Sequence, residues 1–256
     1  MIFTIEGNIG SGKTTILKEL EALKFGKRHI VVYEQVKEWA DMKDKDGNDI
    51  LSLFYKDKIK YSYIFQSYVL FSRINHLVQT IKNNPDAVII CERCHLTDLY
   101  VFAKSLYESN DLSEIEWNVY NLWHKQLREL LSIRLDGIIY IKTDPEVCYE
   151  RIKQRNRNGE SGIPMDYLKV LDEKHNEWLL KHQNVNWSED IYYDIILEGE
   201  NTTVPVINID GNIDGNNFDK RCAQLKSIIR FVNFSLFNEK LKNDFPEEYE
   251  GIKHML

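Results

Sequence analysis

The sequence is short of cysteine and proline, and it has no long apolar run. Four cysteines in 256 residues are too few for a disulfide framework, so a reducing compartment is the default reading. No stretch approaches the ~18 apolar residues of a membrane span. The first residues, MIFTIEGNIG, lack the basic, apolar and small-residue plan of a signal peptide. A cytoplasmic protein without a membrane partner is expected. A basic excess is missing as well: 33 Lys and Arg stand against 40 Asp and Glu, a formal charge of −7. That argues against a nucleic-acid polymer as partner, because such binding needs a basic face. A small anion held by a local cluster of cations stays open. The chain has only five prolines and shows no repeat or low-complexity stretch, so nothing marks a linker. A single domain over 1–256 is expected.

What is present is an alternation of short apolar runs with long amphipathic ones. Met1–Glu6, His29–Tyr33, Ala87–Cys91, Gly137–Ile141 and Pro205–Ile209 are rich in Ile and Val and apolar on both faces, the signature of buried parallel strands. Helical patterns cover Lys13–Lys24, Ile50–Asn83, Asp98–Ser109, Ser113–Ile133, Asp144–Arg155, Asp166–His182 and Asn217–Asn233. The alternation predicts an α/β fold: a five-stranded parallel sheet with helices on both sides. The segment Asn184–Thr203 is acidic and mixes aromatic with turn residues, and it reads as a surface insertion before the last strand.

Gly7-Asn8-Ile9-Gly10-Ser11-Gly12-Lys13-Thr14 fits G-x-x-x-x-G-K-[ST], with a strand before it and a helix after it, and Thr15 joins the candidate phosphate contacts. Glycines let the backbone curl so that its N–H groups face phosphate oxygens, and the helix adds its positive end. Lys13 can reach the β- and γ-phosphates of a nucleoside triphosphate such as ATP. The Thr14 hydroxyl can ligate Mg²⁺. The motif does not say where the phosphate goes.

In an open parallel sheet, ligands sit outside the carboxyl ends of the strands. Glu34 follows the second strand, and Glu92-Arg93 follows the third. Glu92 is the candidate metal-side carboxylate. Glu34 is the candidate base for an incoming hydroxyl. Cys91 and Cys94 spell C-x-x-C, but no second ligand pair accompanies them, so metal or redox use is disfavoured. Further on, Arg151, Arg155 and Arg157 precede a break at Asn158-Gly159. A loop over about 151–163 carrying guanidinium groups suits a lid over triphosphate.

Taken in order, Ile5–Thr14, Val32–Val36 around Glu34, Ile64–Arg73, Glu92–Ala103, Arg151–Arg157 and Gly162–Leu168 resemble the deoxynucleoside kinases, and within them the deoxycytidine/deoxyguanosine kinase group. The resemblance runs from residue 2 to about residue 235. It implies a three-layer P-loop kinase fold, ATP and Mg²⁺, a deoxynucleoside substrate and a homodimer formed through the long helices. It further implies that Glu34 acts on the 5′-hydroxyl and that Arg93 steers it. Gln66 would bond the base edge, between Trp39 and Phe65, and Tyr55 would meet the 3′-hydroxyl. Arg73 and Asp98 match a charged pair at the far end of the base pocket. Asp210 lies where the adenine-binding loop begins. The charged pair favours purine deoxynucleosides or deoxycytidine over thymidine. Asn176 stands where the family usually has a Glu that meets the sugar. A nucleoside monophosphate kinase of the thymidylate kinase type, or a non-catalytic kinase-like scaffold, are the competing readings.

Overall fold

The computed structural model describes residues 1–23, 28–155, 162–180, 191–197, 203–214 and 217–252. Along the chain run β1 (Ile2–Glu6), α1 (Lys13–Leu23), β2 (His29–Val32), α2 (Val36–Asp41), α3 (Ile50–Lys56), α4 (Lys58–Asn83) and β3 (Val88–Glu92). A short turn, α5 (His95–Thr97), leads into a π-helical turn at Asp98–Ala103. Then follow α6 (Lys104–Glu108), α7 (Glu114–Leu131), β4 (Gly137–Lys142), α8 (Pro145–Arg155), α9 (Met165–Leu179), β5 (Ile191–Ile196), β6 (Thr203–Asp210), α10 (Phe218–Asp244) and α11 (Pro246–Ile252).

The strands lie in the order β2-β3-β1-β4-β6-β5. Apolar residues on both faces of each central strand make the sheet a middle layer. Phe3, Ile5, Ile139 and Ile141 pack to one side against Ile16, Leu17 and Leu20 of α1 and Ile228 and Phe231 of α10. Ile138, Tyr140 and Val206 pack to the other side with Leu96 and Leu179. Each such side chain, fully buried, contributes roughly 1.5–3 kcal/mol. β1 sits between β3 and β4 and is parallel to both. Its neighbours connect in opposite directions from it, so a crevice opens at its carboxyl end.

The sheet departs from the expected five strands by having six. The extra strand, β5, is antiparallel to β6, with Ile191 opposite Asn208 and Ile196 opposite Thr203. It lies inside Asn184–Thr203, so that segment is not merely a surface insertion. Ile-Tyr-Tyr-Asp-Ile-Ile has strong strand propensity, and Ile195 is buried beside Val204 and Val206. Polar flanks on both sides hid the run in the sequence. The helical pattern over Ile50–Asn83 also divides. Asp57 leaves helical geometry at φ −149°, ending α3, and its side chain caps α4 by accepting from the Lys60 N–H at 3.1 Å.

Candidate active site

The loop between β1 and α1 is set by close packing. Gly7 has φ +144°, and a Cβ there would lie 2.6 Å from the Ile141 carbonyl oxygen, so a side chain is excluded. Lys13 folds back over the loop, and its Nζ donates to the Gly7 and Asn8 carbonyl oxygens at 2.9 and 2.7 Å. Asn8 Nδ2 donates to the Leu168 carbonyl oxygen at 2.8 Å, tying the loop to α9. Burial pulls the Lys13 ammonium down to about 7, and Arg93 adds to this against the opposite pull of Glu92 and Glu34. The Thr14 hydroxyl donates to Glu92 Oε1 at 2.7 Å. That contact exists because Glu92 ends the strand next to β1, in register with Ile5.

One cavity of about 470 Å³ runs from this loop across the sheet edge. Glu34 lies on its wall two residues beyond β2, with its side chain 14% exposed. Arg93 Nη1 donates to both Glu34 oxygens at 2.7 Å, and Arg73 Nη2 donates to Oε1 at 3.1 Å. Burial pushes the Glu34 carboxyl up. Arg93, Arg73 and Lys13 together outweigh that and hold it down at about 2. Arg93 itself adopts φ 62°, a left-handed conformation that costs a β-carbon residue about 1–3 kcal/mol and clusters at functional sites. Its guanidinium lies 5.1 Å from the centre of the Phe102 ring.

The far end of the cavity is aromatic and ends in charge. Phe65 stacks on Phe54 at 4.8 Å and meets Trp39 edge-on at 5.8 Å. The Trp39 indole N–H is held by Ser72 Oγ at 3.2 Å, which fixes the ring as a wall. Gln66 is buried on the same wall, and its Oε1 has no hydrogen-bond partner among the described residues. Arg73 closes this end with a fork onto Asp98, Nε to Oδ2 at 2.9 Å and Nη2 to Oδ1 at 3.1 Å.

The loop over residues 7–14 and an aromatic slot with a polar end therefore share one cavity. The family model described as deoxynucleoside kinase matches residues 3–234 of this chain. The chain belongs to the deoxynucleoside kinase family. It is similar to the probable deoxycytidine kinase of fowlpox virus, 32% identical over 233 residues that span 90% of this chain and 87% of that protein. The deoxycytidine kinase of Mus musculus is 35% identical over 248 residues, 90% of each chain. The mitochondrial deoxyguanosine kinase of Xenopus laevis is 31% identical over 230 residues, 84% of this chain and 83% of that one. The protein is accordingly an ATP-dependent phosphotransferase of the nucleoside kinase class.

In this kinase, Ile9, Gly10, Gly12, Lys13, Thr14, Thr15, Glu92, Arg151 and Arg155 line the cavity at the end nearest the loop over residues 7–14. Glu34, Trp39, Tyr55, Phe65, Gln66, Arg73, Arg93 and Asp98 line the rest. Gly7, Asn8 and Ser11 belong to the same loop but do not line the cavity. Arg151 spans the phosphate loop and the loop after β6, donating to the carbonyl oxygens of Ser11, Gly211 and Ile213 at 3.3, 2.9 and 3.0 Å. Arg157 lies outside the described residues. Asp210 does not line the cavity. It turns the chain after β6, its Oδ1 accepting from the Asn212 N–H at 2.9 Å.

Asn176 is placed elsewhere than expected for a sugar contact. It is absent from the cavity wall, its Oδ1 accepts from the Tyr140 hydroxyl at 3.0 Å, and its Nδ2 donates to Asp172 at 2.9 Å. The facing of α9 decides this: the helix turns Tyr167 toward the cavity and Asn176 toward Asp172. Sequence reasoning also passed over Phe102 and Tyr167 as cavity walls, and over the bond from Arg73 to Glu34. Tyr167 carried a signal, since it falls within the recognisable Gly162–Leu168 run. The Arg73–Glu34 bond joins residues 39 positions apart and had none.

Proposed function

We propose that this kinase transfers the γ-phosphoryl group of ATP to the 5′-hydroxyl of a deoxynucleoside, with Glu34 as the proton acceptor. Purine deoxynucleosides or deoxycytidine are preferred over thymidine. The observation that carries the reading is the joining of the Lys13 loop, the Glu34–Arg93 pair and the Gln66–Arg73–Asp98 end in one cavity. The names of the relatives, deoxycytidine and deoxyguanosine kinases, support it.

The roles follow from the contacts. Arg93 holds the Glu34 carboxylate ionised and aimed. Phosphoryl transfer passes through a loose transition state, so the hydroxyl proton leaves late, and Glu34 must be held in place to receive it. Lys13 gives up its bonds to loop carbonyls for phosphate oxygens. Arg151, Arg155 and Arg157 are assigned to a cationic lid that would spread the charge of the transferring group. Asp210 begins the loop that borders adenine. Tyr55 is assigned to the sugar 3′-hydroxyl. Asn176 would reach that hydroxyl only if α9 turned.

Thr14 and Glu92 fit Mg²⁺. They are hard oxygen donors at the mouth of the phosphate loop. No group of three or more His, Cys, Asp or Glu suited to a metal occurs among the described residues, so phosphate oxygens and water would complete the shell. When bound, Mg²⁺ supplies charge neutralisation between the β- and γ-phosphates.

A polar base edge meets an unpaired Gln66 acceptor and the Arg73–Asp98 fork, which offer both donors and acceptors. A monophosphate acceptor fits less well, because Arg73 and Arg93 are both committed to carboxylates. Apolar side chains left exposed on α4 and α7, among them Phe71, Leu122 and Trp123, support a homodimer through these helices. No helix among the described residues is long and apolar enough to cross a membrane, and all four cysteines are free thiols, which suits a reducing cytoplasm.

Labelled ATP offered with each of the four deoxynucleosides, and then with their monophosphates, tests the reading. Label on deoxynucleosides, weakest on thymidine, is the expected outcome. Label on monophosphates alone would show the competing kinase class, and no transfer at all would show a scaffold.

A further inference from the structure

Gln66, Val69 and Arg73 stand at i, i+3 and i+7 on α4, one helix face, and all three line the cavity. The Arg73 side chain is only 7% exposed, so its bonds are made out of water, where they are strong. Its guanidinium serves three acceptors. Asp98 takes Nε and Nη2, the Glu92 carbonyl oxygen takes Nη1 at 3.0 Å, and Glu34 Oε1 takes Nη2 at 3.1 Å. Nη2 therefore bridges the carboxylate at the base end and the carboxylate at the reacting end. The two Glu34 oxygens differ as a result. Oε1 receives Arg93 and Arg73, whereas Oε2 receives Arg93 alone among the described residues.

The charged groups facing Glu34 come from three elements besides its own: Lys13 from α1, Arg93 from the end of β3, and Arg73 from α4, with Asp98 behind Arg73. Of the three cations, Arg73 alone shares a helix face with the base-edge residue Gln66. Resting on the function proposed above, we infer that Arg73 is a positioning residue that couples recognition of the base to proton acceptance at Glu34. A base edge that offers an acceptor to Nη2 draws that N–H off Glu34 Oε1. The carboxylate keeps Arg93 and gains proton affinity, since each donated hydrogen bond had favoured its charged form. The O5′–H bond then breaks with its proton going to Glu34, the O5′–Pγ bond forms, and the Pγ–O bond to the β-phosphate breaks with its electron pair leaving on ADP. A base without such an acceptor leaves both guanidinium groups on Glu34. Selection is then expressed in the transfer step as well as in binding.

The test separates those two quantities. Single-turnover transfer from labelled ATP at saturating nucleoside, and nucleoside Kd by calorimetry, are measured for the four deoxynucleosides. Three proteins are compared: wild type, Arg73→Lys, and Arg73→Gln combined with Asp98→Asn. Lysine keeps a charge against Asp98 but has no second arm for Glu34. The amide pair keeps a polar contact between α4 and the π turn without any cation. In wild type, transfer rates should differ by about tenfold or more between the best and worst base, the scale of one charge-assisted hydrogen bond. In both variants the rates should fall within about threefold of one another while the Kd values still differ. Equal wild-type rates, with selection confined to Kd, would overturn the coupling and leave the kinase reading intact. Variants that slow every base by one factor and keep the wild-type spread would overturn it too. Transfer to no deoxynucleoside would instead overturn the kinase reading itself.

Discussion

At the scale of single residues, the site is a set of charges moved from their ordinary behaviour by burial and by one another. Glu34 is held at about 2 by three cations despite its burial, so it is ionised throughout the neutral range. Replacing Glu34→Gln keeps the shape and removes the proposed proton acceptor. Turnover should fall by about 10² or more with little change in nucleoside Kd. Undiminished turnover in that variant would remove Glu34 from the reaction. Lys13 is the opposite case, a cation pulled down to about 7 by burial first and by Arg93 second. A bound triphosphate stabilises the ammonium and raises that value. Above pH 7 the free protein has lost part of this charge, so binding must recover it. ATP binding at pH 8 should therefore take up protons, to a limit of about one per ATP. Calorimetry in two buffers of different ionisation enthalpy measures the uptake, and equal heats in both would contradict the low value. By the same sign, ATP affinity should weaken as pH rises from 7 to 9.

At the scale of elements, what the sequence disclosed was local. Residues 7–14 declare the phosphate loop because their chemistry depends on neighbours in the chain. Glu34 and Glu92 were readable because each follows an apolar run, and a parallel sheet brings strand ends to one edge. Contacts made across helices were not readable. Spacing along α9 does not say which face meets the cavity: Tyr167 lines it, while Asn176 faces Tyr140. Nothing in Asp98–Ala103 announces a π turn, a form that recurs at functional sites, and this one delivers Asp98 to Arg73. The turn is anchored from β1. Thr97 Oγ1 donates to buried Glu6 Oε2 at 2.6 Å, and Thr4 Oγ1 to Oε1 at 2.6 Å. Thr97→Val keeps the side-chain shape and deletes one donor to a buried carboxyl. It should cost about 1–3 kcal/mol in urea unfolding and lower turnover more than ATP affinity, because the turn carries Asp98 and not the phosphate loop. Unchanged stability would show that the anchor is dispensable.

At the scale of the whole molecule, two expectations concern how the fold meets its surroundings. On α7, Trp123 lies 6.3 Å from Phe71 of α4, ring to ring, and both are more than 40% exposed. A partner that covers them would be lost on Leu122→Glu with Trp123→Glu, and sedimentation should then show a monomer of half the wild-type mass. A wild-type monomer would sink the dimer. The second expectation concerns acid. His95, His124 and His175 are all buried, and burial lowers each in turn. His124 falls to about 4 and His175 to about 3, and His95 falls well below the usual imidazole range, helped down by neighbouring His124. In the unfolded chain each titrates near the ordinary ~6.5. Below that pH the unfolded state binds more protons than the folded one, so stability must fall as the solution is acidified from about 6.5 toward 4. The slope approaches about 1.4 kcal/mol per pH unit for each histidine kept neutral. Glu34 joins in only at the acid end of this window, because its carboxyl takes a proton near the ordinary ~4.3 in the unfolded chain but is held down at about 2 in the fold. Urea unfolding at pH 7, 6 and 5 measures the slope. His175→Asn should start from a less stable protein, because Nδ1 is bonded to the Leu171 carbonyl oxygen at 2.7 Å, and should flatten the slope by about one histidine's share. A wild-type slope near zero between pH 6.5 and 5 would mean that these rings take their protons without unfolding the chain.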